Sequence, residues 1–414
     1  MSASSRPPNI NMDLAPNHPH QPEEPIPPFP TDVDVPALDP SLKLPPKEGE
    51  YSDLLLGCAT FGYGVYESKE HVRTNEPLKI VKTALDAGIN GFDTSPHYHP
   101  SETILGHALA SLRAQYPRES YKLLTKAGKY GPRLQDHVYS PDVIRASVER
   151  SLRRLQTSYL DVVYLHDCEF LSSFPFPMPA GDHSLALSSE AEAEAWGLAE
   201  PYNPRGEGDA AVLAAFQELR KMQKEGKIRA CGLAGYPLPT LLRFCRMIKA
   251  QTGESVDVVQ NYSHFTLQNS ALEAYLPAFT SAGVRQVINA APLSMGLLTT
   301  AGPPGWHPAV FVDHLRDSAR EAAQLCKKEG GSIEEEGLRF GYKRLSMGER
   351  GKEKVVPCVI GCTTREQLIQ TLQTFKKVRD GEERSELGDK VRGLLEERGA
   401  LGVSWQKPAP EEMI

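Results

Sequence analysis

Two rhythms of apolar residues run along the chain. Short clusters of Leu, Val and Ile alternate with stretches in which apolar positions recur every three to four residues. Leu54-Leu55-Leu56 opens the series. A helix is predicted to follow at Asn75-Glu76-Pro77, where Asn75 can cap and Pro77 suits the first turn; Leu78, Val81, Ala84 and Leu85 share one face and Gly88 can end it. Further strands are predicted at 91–94, 122–125, 160–165, 228–233, 256–260, 286–290 and 355–360. Helices are predicted at 101–112, from Ser140-Pro141-Asp142 through Leu155, and at 210–225, 238–251, 270–282, 314–328, 333–345 and 365–378.

This makes eight strand-then-helix units. The middle strands are continuous apolar runs, as expected where both faces are buried, and strict alternation with crossover helices implies a parallel sheet. Eight units favour a closed (β/α)8 TIM barrel over an open doubly wound sheet. No G-x-G-x-x-G follows a strand and no G-x-x-x-x-G-K-[ST] occurs, which argues against Rossmann and P-loop architectures. Two connections, 170–208 and 293–313, are long enough to be lids or disordered insertions, and both emerge at the C-terminal face, where sites in this fold are built. The Ala/Glu stretch within the first is expected to form a short helix.

Composition changes this picture at the ends. Thirteen of the 34 prolines fall in the first 46 residues, which also lack apolar periodicity. Residues 1–46 are therefore expected to be a disordered extension, with a ligand for proline-recognition modules as the alternative. The barrel is assigned to 47–400 and a tail to 401–414. A formal charge of −7 argues against nucleic acid and against a polybasic membrane surface. No apolar run reaches the roughly 18 residues of a spanning helix, and the start lacks a signal-peptide pattern, so a soluble, cytoplasmic protein is expected. Cys58, Cys168, Cys231, Cys245, Cys326, Cys358 and Cys362 are odd in number and scattered, which predicts reduced thiols and no zinc site.

Four polar residues fall at or just past three successive strands: Asp93, Tyr98, Lys126 and His166. Adjacent parallel strands lie about 5 Å apart, so these side chains can converge in one pocket. A lysine beside a phenol favours phenolate and is expected to lower the Tyr98 pKa, with Asp93 holding the lysine charged. Tyr98 can then serve as general acid or base at a carbonyl or alcohol oxygen that His166 orients. Polar residues that merely cap strand ends would give the same spacing. The His97-x-His99 pair with His166 raises the alternative of a metal site, but the pair follows Pro96 in a loop without a suitably spaced acid, so no metal is expected.

The segments G-F-D-T-S-P-H-Y-H-P-S-E at 91–102, L-T-K-A-G-K-Y at 124–130 and Y-L-D-V-V-Y-L-H-D at 159–167 resemble the aldo-keto reductases. G-L-A-G-Y-P at 232–237, V-V-Q-N-Y at 258–262, A-P-L-S-M-G-L-L at 291–298 and V-I-G-C-T-T-R-E-Q-L at 359–368 do so too. The resemblance runs in order from about 51 to 380. It implies a TIM barrel, a nicotinamide dinucleotide, carbonyl–alcohol interconversion, and a catalytic tetrad of Asp93, Tyr98, Lys126 and His166. It also implies cofactor contacts from Thr60 and Phe61, from Gln260, from Leu293, Ser294, Gly296 and Leu297, and from Gly361, Thr363, Gln367 and Gln370.

There are two departures from the family pattern. Ala234-Gly235 stands where many members carry Ser-Asn, and Ala290 where an aromatic covers the nicotinamide. Only Arg365 is cationic in the stretch that meets the adenosine ribose, so NAD is expected, with NADP as the alternative. L-H-D-C-E-F at 165–170, A-G-Y-P-L-P at 234–239 and the 294–308 loop resemble sugar dehydrogenases that oxidise D-arabinose or L-galactose at C1 with NAD. On that resemblance Phe170, Trp306 and His307 line the pocket of a small-molecule aldose or aldehyde. An NADPH-dependent general aldehyde/ketone reductase and a cofactor-binding regulatory subunit are the competing readings.

Overall fold

Each short apolar run is followed by a helix that returns the chain to the same end of the sheet, so successive strands pair in parallel. In the computed structural model, which describes residues 14–30, 33–47, 50–63, 66–172, 179–350 and 352–405, the strands are β1 (Leu54–Gly57), β2 (Gly91–Asp93), β3 (Lys122–Ala127), β4 (Leu160–His166), β5 (Ile228–Gly235), β6 (Val258–Tyr262), β7 (Gln286–Ala290) and β8 (Cys358–Gly361). Each pairs with its sequence neighbour, and β1 closes the ring on β8 with Leu54 opposite Cys358 and Gly57 opposite Gly361. The expected TIM barrel is formed.

Alternate strand residues fill the interior: Leu55, Leu124, Val162, Tyr164, Val258, Ile288 and Val359, with Tyr51 packed at the N-terminal end. The remaining faces pack outward against the helices in one continuous core. Gly88, at φ +85°, ends the helix Glu76–Asp86 as expected, whereas Asn75 makes no side-chain cap bond. The predicted strand at 355–360 divides at Pro357, which has no N–H to give a ladder. Lys354–Val355 pairs instead with Ser346–Met347 in a small hairpin, and Cys358 begins β8. A helix at Glu386–Glu397, absent from the sequence reading, buries Val391 and Leu395.

The expectation of a disordered extension over 1–46 does not hold for 14–30 and 33–47; residues 1–13, 31 and 32 lie outside the described residues. Ala15, Leu38, Leu42 and Leu44 are buried. Arg150, only 1% exposed, donates to the carbonyls of Asn17 and His18, and Arg365 donates to that of Pro36 at 2.8 Å. Two barrel arginines thus find acceptors on the main chain of this segment, which offsets its ordering entropy. The 401–414 tail is likewise tied down as far as it is described, since Trp405 is 1% exposed and stacks on Tyr236 at 4.1 Å.

Within 170–208, residues 173–178 lie outside the described residues. From 179 onward the segment is an outer wall and not a lid. His183 O accepts from Tyr275 at 2.6 Å, Leu198 O from Arg246 at 2.7 Å and Tyr202 O from Gln251 at 3.2 Å, all on the helices Leu238–Thr252 and Ala271–Ser281. Trp196, Leu198 and Ala186 are buried there, and Glu190–Ala195 forms the short helix expected. All seven cysteines are buried free thiols.

Candidate active site

The last residue of β2, Asp93, lies in register with Gly57 of β1 and Leu124 of β3. Two residues past Leu124, on the same side of the strand, Lys126 reaches over it. Lys126 Nζ is 2.5 Å from Asp93 Oδ1 and donates to Thr94 O at 3.0 Å. Gln260 Nε2, from the far side of the barrel, donates to Asp93 Oδ2 at 2.9 Å. Lysine and aspartate side chains are 3% and 6% exposed, so each depends on the other for its charge to remain buried.

Tyr98 sits above this pair at the end of a short turn, Pro96–Tyr98, capped by Ser95. Lys126 Nζ lies 5.0 Å from the Tyr98 ring centroid. The turn is pressed from behind by Gly62, where a Cβ would come within 2.3 Å of Tyr98 O, a spacing only glycine allows. His166, the last residue of β4, meets Tyr98 edge-on with ring centroids 5.7 Å apart. Ser95 Oγ accepts from His97 N at 3.1 Å, so its own hydrogen is free for His166 Nδ1 at 3.0 Å. With the serine hydroxyl as the donor in that bond, the ring proton of His166 sits on Nε2. Tyr139 Oη donates to His166 O and fixes the strand end. The sequence reading missed Ser95 and Tyr139; the only available signal was Ser95 preceding a proline as an N-cap.

Burial raises the Tyr98 phenol well above its usual range, and the charges of Asp93 and Asp167 add to this. The expected lowering by Lys126 does not occur, because the lysine is matched by Asp93 at contact distance. Burial also drives His166 and His97 well below the ordinary imidazole value, against the opposing pull of Asp167. The site therefore presents a protonated phenol and a neutral imidazole. Beside it, Asp167 adopts φ 52°, a left-handed conformation aspartate tolerates, and pairs with Lys129 at 2.7 Å. His97 and His99 point apart, His97 toward His166 and His99 toward Tyr63, so they do not share a ligand.

Of the residues expected to touch a cofactor, Thr60 ties β1 to β8 by donating to Cys362 O at 2.8 Å. Phe61 and Leu297 are each 1% exposed and pack in the core. Gln260 is turned to Asp93. After β7, Ala291, Ser294 and Met295 adopt φ of 54°, 52° and 53°, and Gly296 97°. Leu293 opens this turn, and the Ser294 hydroxyl within it is buried without a partner. Gly361, Gln367 and Gln370 are exposed, and Gln367 Oε1 accepts from Thr363 N at 2.8 Å. Arg365 faces inward, with Nε donating to Thr83 at 2.9 Å as well as to the Pro36 carbonyl.

Phe170 stacks on His137 at 4.7 Å, and Trp306, 46% exposed, meets Tyr66 edge-on at 5.7 Å. His307 is fully buried, with Nε2 2.9 Å from Ser294 O and Nδ1 accepting from Ala309 N, and so braces its own loop. After β5, glycine at 235, where many members carry Asn, has a steric reason. Glu169 occupies the space, so a Cβ on Gly235 would lie 2.4 Å from Glu169 Oε2, and Tyr236 N donates to Oε1 at 2.9 Å.

A closed parallel barrel with Asp, Tyr, Lys and His gathered at its C-terminal mouth, and no dinucleotide-binding glycine motif, defines an oxidoreductase of the aldo/keto reductase family. The model of that family matches residues 53–391, and the chain belongs to it. It is 32% identical over 333 residues to D-arabinose 1-dehydrogenase of Saccharomyces cerevisiae, covering 79% of this chain and 84% of that one. It is also 32% identical over 314 residues to L-galactose dehydrogenase of Arabidopsis thaliana, covering 74% and 84%. Among solved structures, a glycerol dehydrogenase from Gluconobacter oxydans shares the fold with a TM-score of 0.52 at 20% identity, over 86% of this chain and 95% of that one.

Proposed function

We propose that the protein oxidises an aldose of the D-arabinose or L-galactose type at C1 to the lactone with NAD, in the cytoplasm, with Tyr98 handling the proton. The observation that carries this reading is the meeting of Tyr98 and His166 above the Lys126–Asp93 pair, in a chain 32% identical to two aldose dehydrogenases over most of its length.

A nicotinamide dinucleotide, when bound, supplies the hydride acceptor or donor that none of these side chains can provide. The residues present fit it. The buried, unpartnered Ser294 hydroxyl lies in a loop of left-handed turns, and Gly361 is open. Leu293, Ser294 and Gly296 would hold the pyrophosphate, and Gly361, Thr363, Gln367 and Gln370 the adenosine. Tyr262, register partner of Ala290, would cover the ring. With Arg365 turned inward, that stretch offers hydroxyls and amides and no cation for a 2′-phosphate, which supports NAD.

His166 donates from Nε2 to the sugar oxygen at C1, and Tyr98 Oη takes the hydroxyl proton. Tyr98 must first lose its own proton, which its raised pKa opposes at neutral pH. The protonated phenol favours the reverse sense, donation to a carbonyl oxygen, and this supports general aldehyde or ketone reduction as the second reading. Absorbance at 340 nm separates the two, with D-arabinose, L-galactose and L-fucose each mixed with NAD+ or NADP+. Reduction of NAD+ by one of these sugars is the expected result. Silence in all six, with NADPH-dependent turnover of simple aldehydes, would overturn it in favour of carbonyl reduction.

A further inference from the structure

A carboxylate of the segment that precedes the barrel meets the catalytic turn. Glu24 Oε2 accepts from Tyr63 Oη and lies 3.3 Å from His99 Nε2, while Oε1 is 2.8 Å from Lys69 Nζ and also pairs with Arg73. His99 directly follows Tyr98. Its ring packs edge-on against Tyr63 at 5.8 Å, and its carbonyl accepts from Tyr63 N at 3.3 Å. Gly62, just before Tyr63, is the residue pressed against the Tyr98 carbonyl. Four side chains, two of them (Tyr63 and His99) at the Tyr98 turn, are therefore joined at one point supplied from outside the barrel.

That point is itself held in place. Arg150 grips the Asn17 and His18 carbonyls, the neighbouring Glu23 is 3.2 Å from Arg154, and the His18 ring packs against Tyr130 at 5.4 Å. Tyr130 in turn accepts from Gly128 N at 3.2 Å, just beyond Lys126. The segment thus contacts the loops that follow both β2 and β3, one of which carries Tyr98 and the other of which follows Lys126.

We propose that residues 14–30 form a clamp that sets the position of Tyr98, with Glu24 as its positioning residue. The clamp rests on the reading of Tyr98 as the proton-transfer group. Glu24 touches neither substrate nor cofactor. It holds His99 and Tyr63 so that the phenol stays over Lys126 and beside His166, where a displacement of about 1 Å costs on the order of a hundredfold in rate.

The test uses the full chain carrying Glu24→Ala, Glu24→Gln or Tyr63→Phe, with the substrate and cofactor pair that the 340 nm assay identifies. For Glu24→Ala, kcat falls roughly tenfold while NADH affinity, read by fluorescence titration, stays within about twofold. Amide exchange at His97, Tyr98 and His99 quickens, while exchange in β3 and β4 does not change. Glu24→Gln, which keeps a hydrogen-bonding group, falls between wild type and alanine. A kcat within about twofold of wild type, unchanged exchange at 97–99, or faster exchange throughout the barrel would each overturn the clamp. Should Glu24→Ala fail to fold, Tyr63→Phe decides, since it keeps the carboxylate and removes one donor; local exchange must rise and kcat fall by roughly threefold. Tyr98→Phe distinguishes the two claims. An inactive Tyr98→Phe beside a normal Glu24→Ala refutes the clamp alone, whereas an active Tyr98→Phe refutes the reading on which it rests.

Discussion

At the ends of β2 and β3 the polar groups are already paired within the protein, Lys126 with Asp93 by charge and Gln260 with Asp93 by a hydrogen bond. After β7 the chain does the opposite. Three non-glycine residues, Ala291, Ser294 and Met295, are held at positive φ, and a buried hydroxyl has no partner. Each such conformation costs about 1–3 kcal/mol and persists only where its surroundings impose it. The Lys126–Asp93–Gln260 set is paired before any ligand arrives, as preorganised electrostatics require. The second carries backbone strain and an unmet hydrogen bond. On the proposed reading one part of the barrel acts and the other captures, and they should respond differently to perturbation.

The largest expected effect is in the proton-transfer region. Tyr98→Phe removes one oxygen, and turnover should drop by roughly 10²–10⁴-fold with NADH binding retained in a fluorescence titration. Near-normal turnover would remove Tyr98 from the mechanism. Acid should come next. His166, His97 and His264 are held neutral by burial, and His183 and His307 are lowered to about 4. In the unfolded chain each takes up a proton near the ordinary value of 6.5, so the unfolded state binds more protons and stability is complete only above that pH. It should then fall by about 1.4 kcal/mol per histidine per pH unit as the pH drops, down to about 4 for His183 and His307. Urea midpoints at pH 7, 6 and 5 test this, and a midpoint constant across them contradicts it. The smallest effect should be on capture. Ser294→Ala should weaken NADH binding by roughly 3–10-fold, one hydrogen bond, with kcat within about twofold. A loss confined to kcat would erase the contrast between the two regions.

Much of this was legible in the sequence because its cause is local. Strand ends are where apolar runs stop, and Asp93, Lys126 and His166 stand at those ends. The side chains that only position others were harder to read. Ser95 orients His166 and Tyr139 holds its carbonyl, yet neither residue type in isolation signals that use. Gln260 is expected at the cofactor from the sequence, and its bond to Asp93 is not legible there; a buried aspartate with one oxygen on a lysine needs a second donor. The segment at 14–47 was illegible for another reason. Arg150 and Arg365 hold it by the carbonyls of residues 17, 18 and 36, and a carbonyl leaves no mark in the choice of residue. The strand expected at 355–360 is two strands because Pro357, set among apolar residues, has no N–H for the ladder.

The seven buried thiols have a practical consequence. Burial pushes Cys231, Cys358 and Cys362 up to about 12 and Cys326 to about 11, and Cys58, Cys168 and Cys245 are raised as well. A thiol-reactive dye at neutral pH therefore meets almost no thiolate on the folded molecule. Cys58 follows β1 and Cys362 follows β8, on either side of the seam where the ring closes. Their labelling rates report how often that seam opens, so the chain carries its own gauge of breathing, readable without adding a probe.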